Sequence, residues 1–172
     1  MATTASDVLE PVKDHLEVHL SAFLPPDLPL PALWRTLPDP DRMDTVSYPA
    51  VAVATNGTSG EFQRRGRVLE ATWPVVVAVW VQSYGYDETT TAVHGYVAAL
   101  RDCLRAAVRT DWRLVREDYT DLTDPDHGLT LGGGRVFLNV TAPLADPPAL
   151  TEPPGASLPV LTQHSTTVTP KE

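Results

Sequence analysis

One stretch restricts the fold of this chain more than any other: residues 68–83, Val-Leu-Glu-Ala-Thr-Trp-Pro-Val-Val-Val-Ala-Val-Trp-Val-Gln-Ser. Trp73, Val75, Val77, Val79 and Val81 alternate there with Pro74, Val76, Ala78 and Trp80. The two-residue period of a strand sends these two sets to opposite faces. Both faces are apolar, so both must be covered. Pro74 has no N–H to give to a ladder and is expected at a strand start, a bulge or an edge. A long apolar strand left open invites aggregation, and an obligate oligomer is the simplest way to hide it. Trp73, Val75, Val77, Val79 and Trp80 are therefore the expected subunit interface.

The other elements arrange themselves around this strand. Residues 6–23 predict a helix, with Ser6 or Asp7 as cap and Pro11 near the first turn. Its apolar stripe is Leu9, Val12, Leu16, Leu20 and Phe23. Pro25 and Pro26 end it, and residues 24–49 form a proline-rich crossing anchored by Leu28, Leu30, Leu33 and Trp34. A short strand starts near Pro49. The sequence Asn56-Gly57-Thr58-Ser59-Gly60 marks a loop, and Arg64, Arg65 and Arg67 around Gly66 mark a basic hairpin. After Tyr84-Gly85-Tyr86, a second helix is expected from an Asp87 cap to about Arg109, with Val93, Tyr96, Val97, Leu100, Leu104, Ala107 and Val108 on its apolar stripe. Residues 111–122 predict a strand, 121–129 an acidic loop, and 129–144 a last strand interrupted by a flexible turn or bulge at Gly132-Gly133-Gly134. The expected fold is α+β: a mainly antiparallel sheet of four to five strands packed with two helices. Residues 1–144 form the domain. Residues 145–172, rich in Pro and Thr, form an arm with no apolar period of its own.

Composition excludes several functions. Lys and Arg total 13 against 22 Asp and Glu, a net charge of −9, which argues against a surface that coats nucleic acid. The one cysteine, Cys103, permits no internal disulfide and no cysteine-pair zinc site; its mid-helix setting reads as core packing. No apolar run is long enough to span a bilayer, and the N-terminal residues lack a signal core. His15 and His19 read as a solvated helix face and His127 as part of a solvated acidic loop. No nucleophile, base and orienting group can be assembled, so the expectation is a protein without enzymatic activity, metal or cofactor. The basic cluster Arg64, Arg65 and Arg67 remains as a candidate contact with DNA phosphate or with an acidic partner surface.

The helix at the N-terminus, Pro-Ala-Val-Ala-Val at 49–53, the basic hairpin, Trp-Pro-Val-Val-Val-Ala-Val-Trp-Val at 73–81, Tyr-Gly-Tyr-Asp-Glu-Thr at 84–89 and Ala-Val-His-Gly-Tyr-Val-Ala-Ala-Leu-Arg-Asp-Cys-Leu at 92–104 belong together as a pattern. Over residues 5–144 that pattern resembles the tail terminator (tail completion, or minor tail) proteins of long-tailed bacteriophages. Alanine, arginine and proline usage is like that of phages of GC-rich actinobacteria. The resemblance implies a non-enzymatic virion protein at the tail–neck junction, assembled in the host cytoplasm. It implies a homo-oligomeric ring, usually a hexamer, that caps the tail tube, meets a head-side connector or stopper protein, and lets genome DNA pass through its lumen. An acidic lumen would let that DNA slide. Two alternatives are another neck protein, such as a head-completion or stopper protein, and a cytoplasmic α+β binding module.

Overall fold

A computed structural model describes residues 3–34, 48–59, 62–65, 68–83, 85–124 and 129–144. The fold is α+β. Helix α1 spans Ala5–His19 and runs into a 3-10 turn, Leu20–Ala22; β1 is Ala32–Trp34, β2 Ala50–Thr55, β3 Phe62–Arg65, β4 Val68–Ser83, α2 Tyr86–Ala106, β5 Trp112–Asp124 and β6 Leu129–Leu144. The strands form one six-stranded sheet in the order β1-β2-β4-β6-β5, with β3 pairing β4 beside β2. Every pairing is antiparallel except β1 with β2.

β4 is the spine. It pairs with β6 without a break from Leu69↔Leu144 to Ser83↔Thr130. Pro74 lies inside this central strand, opposite Asn139, and not at an edge. Trp73, Val75, Val77, Val79 and Val81 point into the core with Val51, Val53, Val136, Leu138 and Val140. Both helices pack on that face. α1 lies against β2 and α2, and α2 lies against β4, β5 and β6.

α1 starts one residue earlier than its sequence suggests. Thr4 is the cap, and Asp7 completes a reciprocal capping box with it; such boxes satisfy two of the free donors at a helix start. The carboxyl of Asp7 is held below its usual range by its hydrogen bonds to Thr4. Pro11 consequently falls inside the helix. The buried stripe is Val8, Val12, Leu16 and Leu20, shifted from the expected one, and Phe23 is exposed. α2 is capped by Gly85, with Asp87 in the first turn, and ends at Ala106. Val108 is therefore wholly exposed. Arg109, beyond the helix, pairs with Asp111 at 3.0 Å and lies 5.0 Å over the Trp112 ring.

The triple glycine is neither a turn nor a bulge. Gly132, Gly133 and Gly134 sit in regular register between Val81-Trp80-Val79 of β4 and Asp121-Thr120-Tyr119 of β5. Their role is closeness. A Cβ on Gly132 would lie 2.7 Å from Thr89 Cγ2, and one on Gly134 only 2.3 Å from Val97 Cγ2. The missing side chains let α2 settle directly on the sheet backbone. The irregularity in this sheet lies elsewhere, in β5, where the register shifts between Leu114 and Arg116.

The first part of the proline-rich crossing is built into the fold. Leu24, Leu28 and Leu33 pack against the core, and the Tyr96 hydroxyl donates to the Pro29 carbonyl at 2.7 Å. Residues 32–34 add the parallel strand β1, which brings the sheet to six strands. Leu30 remains exposed. Residues 35–47 and the arm at 145–172 lie outside the described residues.

Two buried weak acids make the fold sensitive to alkaline pH. Burial pushes the Tyr96 phenol up to about 12, helped by the nearby Asp27 carboxylate, and burial pushes the Cys103 thiol up to about 11. Both groups hold their protons in the folded state at a pH where the unfolded chain has lost them. Stability is thus intact below the ordinary values of 9.0 and 10.0 and falls as pH rises through the folded ones. Urea midpoints should decline between pH 9.0 and about 12, with Cys103→Ala flattening the lower part of the fall. At neutral pH, Tyr96→Phe should cost about 1 kcal/mol through the lost hydrogen bond to Pro29.

Candidate functional site

With both helices on one face, the opposite face of the sheet carries no helix among the described residues; Ala50, Ala52 and Ala78 on it are nonetheless buried. Register defines it. Ala50, Ala52 and Ala54 of β2 lie opposite Trp80, Ala78 and Val76 of β4. These lie opposite Gly133, Arg135 and Phe137 of β6, with Pro74 opposite Asn139. Thr120, Asp118 and Arg116 of β5 complete the rows.

The centre of this face is apolar and its β5 side is charged. Trp80 lies across Gly133, with its Cδ1 3.5 Å from where a Cβ would stand; an aromatic side chain here covers backbone that glycine leaves bare. Phe137 lies between two arginines, with the Arg116 guanidinium 4.3 Å and that of Arg135 5.7 Å from its ring centroid. Arg135 Nε is fixed by Asp118 Oδ1 at 2.8 Å. Pro74, Val76, Trp80 and Phe137 are half-buried and, with Ala54 and Ala78, line a concavity of about 470 Å³ that Arg135 borders. Aromatic and arginine side chains such as these are enriched where proteins bind one another.

This arrangement revises the expected interface. Trp73, Val75, Val77 and Val79 are buried beneath the helices of their own chain and offer nothing to a neighbour. Odd-numbered positions of β4 face inward because α1 and α2 both pack on that side. Trp80, the one member of opposite parity, is on the open face with Pro74 and Val76. Phe137, Arg116 and Arg135 join it across the sheet, a grouping that strand alternation alone does not supply because it requires the register.

The basic hairpin is only partly in view. Arg64 is exposed on β3, opposite Leu69, and lines a concavity of about 630 Å³ with Gln63, Glu70, Thr110, Asp111, Thr141 and Pro143. The backbone of Arg65 pairs with Val68. Arg67 lies outside the described residues. Arg64 therefore stands at the far end of β4 from Trp80, away from the apolar face.

The remaining sequence candidates take structural roles. His15 is not on a solvated face: its Nε2 is 2.9 Å from the Cys103 carbonyl at the end of α2, and its ring meets Trp112 edge-on at 5.7 Å. It ties α1 to α2 and β5. His19 is exposed beside it, ring centroids 4.7 Å apart. Cys103 is fully buried, and its raised thiol is the opposite of what a nucleophile needs. Residues 121–124, expected in an acidic loop, continue strand β5, and His127 lies outside the described residues. Among the described residues no three His, Cys, Asp or Glu side chains converge as a metal site. No helix there is long and apolar enough to cross a membrane.

No family model matches this chain, and no curated protein matches it. It is similar to a chain in the solved structure "Virion of native gene transfer agent (GTA) particle", with 15% sequence identity and a TM-score of 0.47, over 82% of this chain and 100% of that one.

Proposed function

We propose that this chain is a structural virion protein that assembles as a homo-oligomeric ring, a hexamer, on the head-proximal end of a phage tail tube. There it stops tube polymerisation and joins the tail to a head-side connector, and genome DNA passes through its lumen without sequence-specific contact. The observation that carries this reading is the open sheet face. Pro74, Val76, Trp80 and Phe137 are half-buried on the side of the sheet that carries no helix among the described residues, and the reading assigns this side to a partner surface. The sequence pattern over residues 5–144 supplies the kind of assembly, that of a tail terminator. The one thiol is sealed in the core, and the reading gives it a packing role.

The exposed Arg64, with Arg65 and Arg67, is assigned to docking on the tube or the connector. Replacing Arg64, Arg65 and Arg67 together with Ala should weaken attachment to tube ends without lowering the melting temperature. Electron micrographs of isolated tail tubes incubated with each protein provide the comparison. Wild-type protein confined to one end of each tube supports the reading. Equal capping by the triple variant removes the hairpin from it, and wild-type protein scattered along tubes or absent from them contradicts it.

A further inference from the structure

The helix-free side of the sheet carries an apolar groove along β4 and β6. Pro74, Val76 and Trp80 stand at even positions of β4, and Phe137 lies opposite Val76 on β6. From Pro74 to Trp80 the groove runs about 20 Å. Its concavity of about 470 Å³ has one charged residue in its lining, Arg135. Arg116 and Arg135 bring guanidinium N–H donors to the Phe137 end. Grooves lined by aromatic groups take polyproline II segments, whose backbone makes no hydrogen bonds of its own and offers its carbonyls to donors such as these.

The chain itself holds a segment of that kind. Strand β6 ends at Leu144, and residues 145–172 follow it. They carry neither the helix nor the strand period, but a third one is present. Pro147, Leu150, Pro153, Ala156 and Pro159 recur at every third residue. A polyproline II helix has three residues per turn, so these five share one face. At about 3.1 Å per residue that face is about 37 Å long, more than the groove needs. The polar Thr151, Glu152 and Ser157 fall on the other two faces. Asp146 and Pro147 each precede a proline, which holds both extended and disfavours a tight turn just after β6. An arm that leaves β6 extended is carried past the end of its own sheet, toward a neighbour.

We propose that residues 147–159 of one copy lie as a polyproline II helix in the Pro74–Trp80 groove of the next. The apolar face of the arm packs on Pro74, Val76, Trp80 and Phe137. Its carbonyls accept from Arg116 and from the N–H groups of Arg135 that Asp118 leaves over. Such a segment is already extended before it binds, so docking orders little backbone. Arm and groove are different patches, so the contact is heterologous, the kind that closes into a ring when its rotation permits. This inference rests on the ring reading above and names what covers the helix-free face.

Two arm variants of the full chain test it by phase. Leu150→Ser with Pro153→Ser and Pro159→Ser breaks the apolar face. Pro148→Ser with Pro154→Ser and Val160→Ser removes as many apolar residues from another face and leaves that one whole. Light scattering over a concentration series reads self-association, and circular dichroism verifies folding. The in-phase variant should associate about a hundredfold more weakly than wild type, and the out-of-phase variant within a few fold of it. Mixing the in-phase variant with Trp80→Ser, whose arm is intact and whose groove is damaged, should yield heterodimers that neither forms alone. Should Trp80→Ser fail to fold, a synthetic peptide of residues 145–161 replaces it: the peptide should bind the in-phase variant and dissociate wild-type assemblies. Equal association by wild type and both arm variants overturns the docking and leaves the ring standing. Equal weakening by both arm variants overturns the three-residue face. A mixture without heterodimers, or a peptide that neither binds nor dissociates, overturns the exchange between copies. A wild-type chain that is monomeric throughout overturns the ring reading itself.

Discussion

Gly134→Ala should destabilise this protein by about 1–3 kcal/mol, while Gly133→Ala, one residue away, should leave it unchanged or raise stability by under about 1 kcal/mol. The new methyl at Gly134 would arrive 2.3 Å from Val97 Cγ2 and 3.2 Å from Val93 Cγ1. Both are short, β-branched side chains on α2 with little rotamer freedom. They cannot swing aside, so the helix must lift from the sheet and loosen Val97, Leu100 and their neighbours. At Gly133 the same methyl points to the open face and meets Trp80 Cδ1 and the Val79 carbonyl at 3.5 Å, an ordinary contact. There the substitution mainly removes backbone freedom from the unfolded chain. Urea unfolding of the two variants provides the comparison, and melting temperatures should differ by about 2–4 °C for each kcal/mol. Equal losses at both positions would mean that α2 does not rest on Gly134 as the structure places it.

Val76→Asp combined with Trp80→Asp should abolish assembly while leaving the subunit folded. Both side chains are half-buried on the open face, and a helix-bearing core on the other side carries the stability. In the free subunit the new carboxylates keep part of their contact with water, and Arg135 is near enough to Trp80's row to partner one of them. Once a partner surface covers them, an unpaired desolvated charge costs several kcal/mol. The expected result is a far-UV spectrum like that of wild type, a melting temperature within a few degrees, and no binding to tube ends. Capping that persists in this variant would remove the open face from the assembly, and unfolding would show that the face is already part of the subunit's own core.

The strands and helices were legible because their periods are strong: β4 alternates over its whole length, and the stripe from Val93 to Leu104 repeats at helical spacing. What misled was parity. Both faces of β4 are apolar, so the sequence alone does not say which face the helices take. They took the Trp73–Val79 side and left Trp80 outward. The glycine run misled for a related reason. Glycine is read locally as a breaker, but Gly132 and Gly134 serve a tertiary contact with Thr89, Val93 and Val97 that exists only once α2 is docked. Likewise Gly95, unremarkable in the sequence, sits where a Cβ would be 2.7 Å from Leu28 Cδ1, which is how the crossing closes over α2. The arginine environment of Phe137 depends on the pairing of β5 with β6 and on the shift after Leu114, and no local pattern marks that register.

The most direct measurement of the central claim is the mass of the purified full chain in solution, by light scattering, with and without tail tubes from the same particle. A ring-sized species, alone or formed at tube ends, is the predicted result. A chain that stays monomeric and ignores the tubes contradicts it. In that case, binding to isolated heads would point to a head-side neck protein, and indifference to both would point to a cytoplasmic binding module.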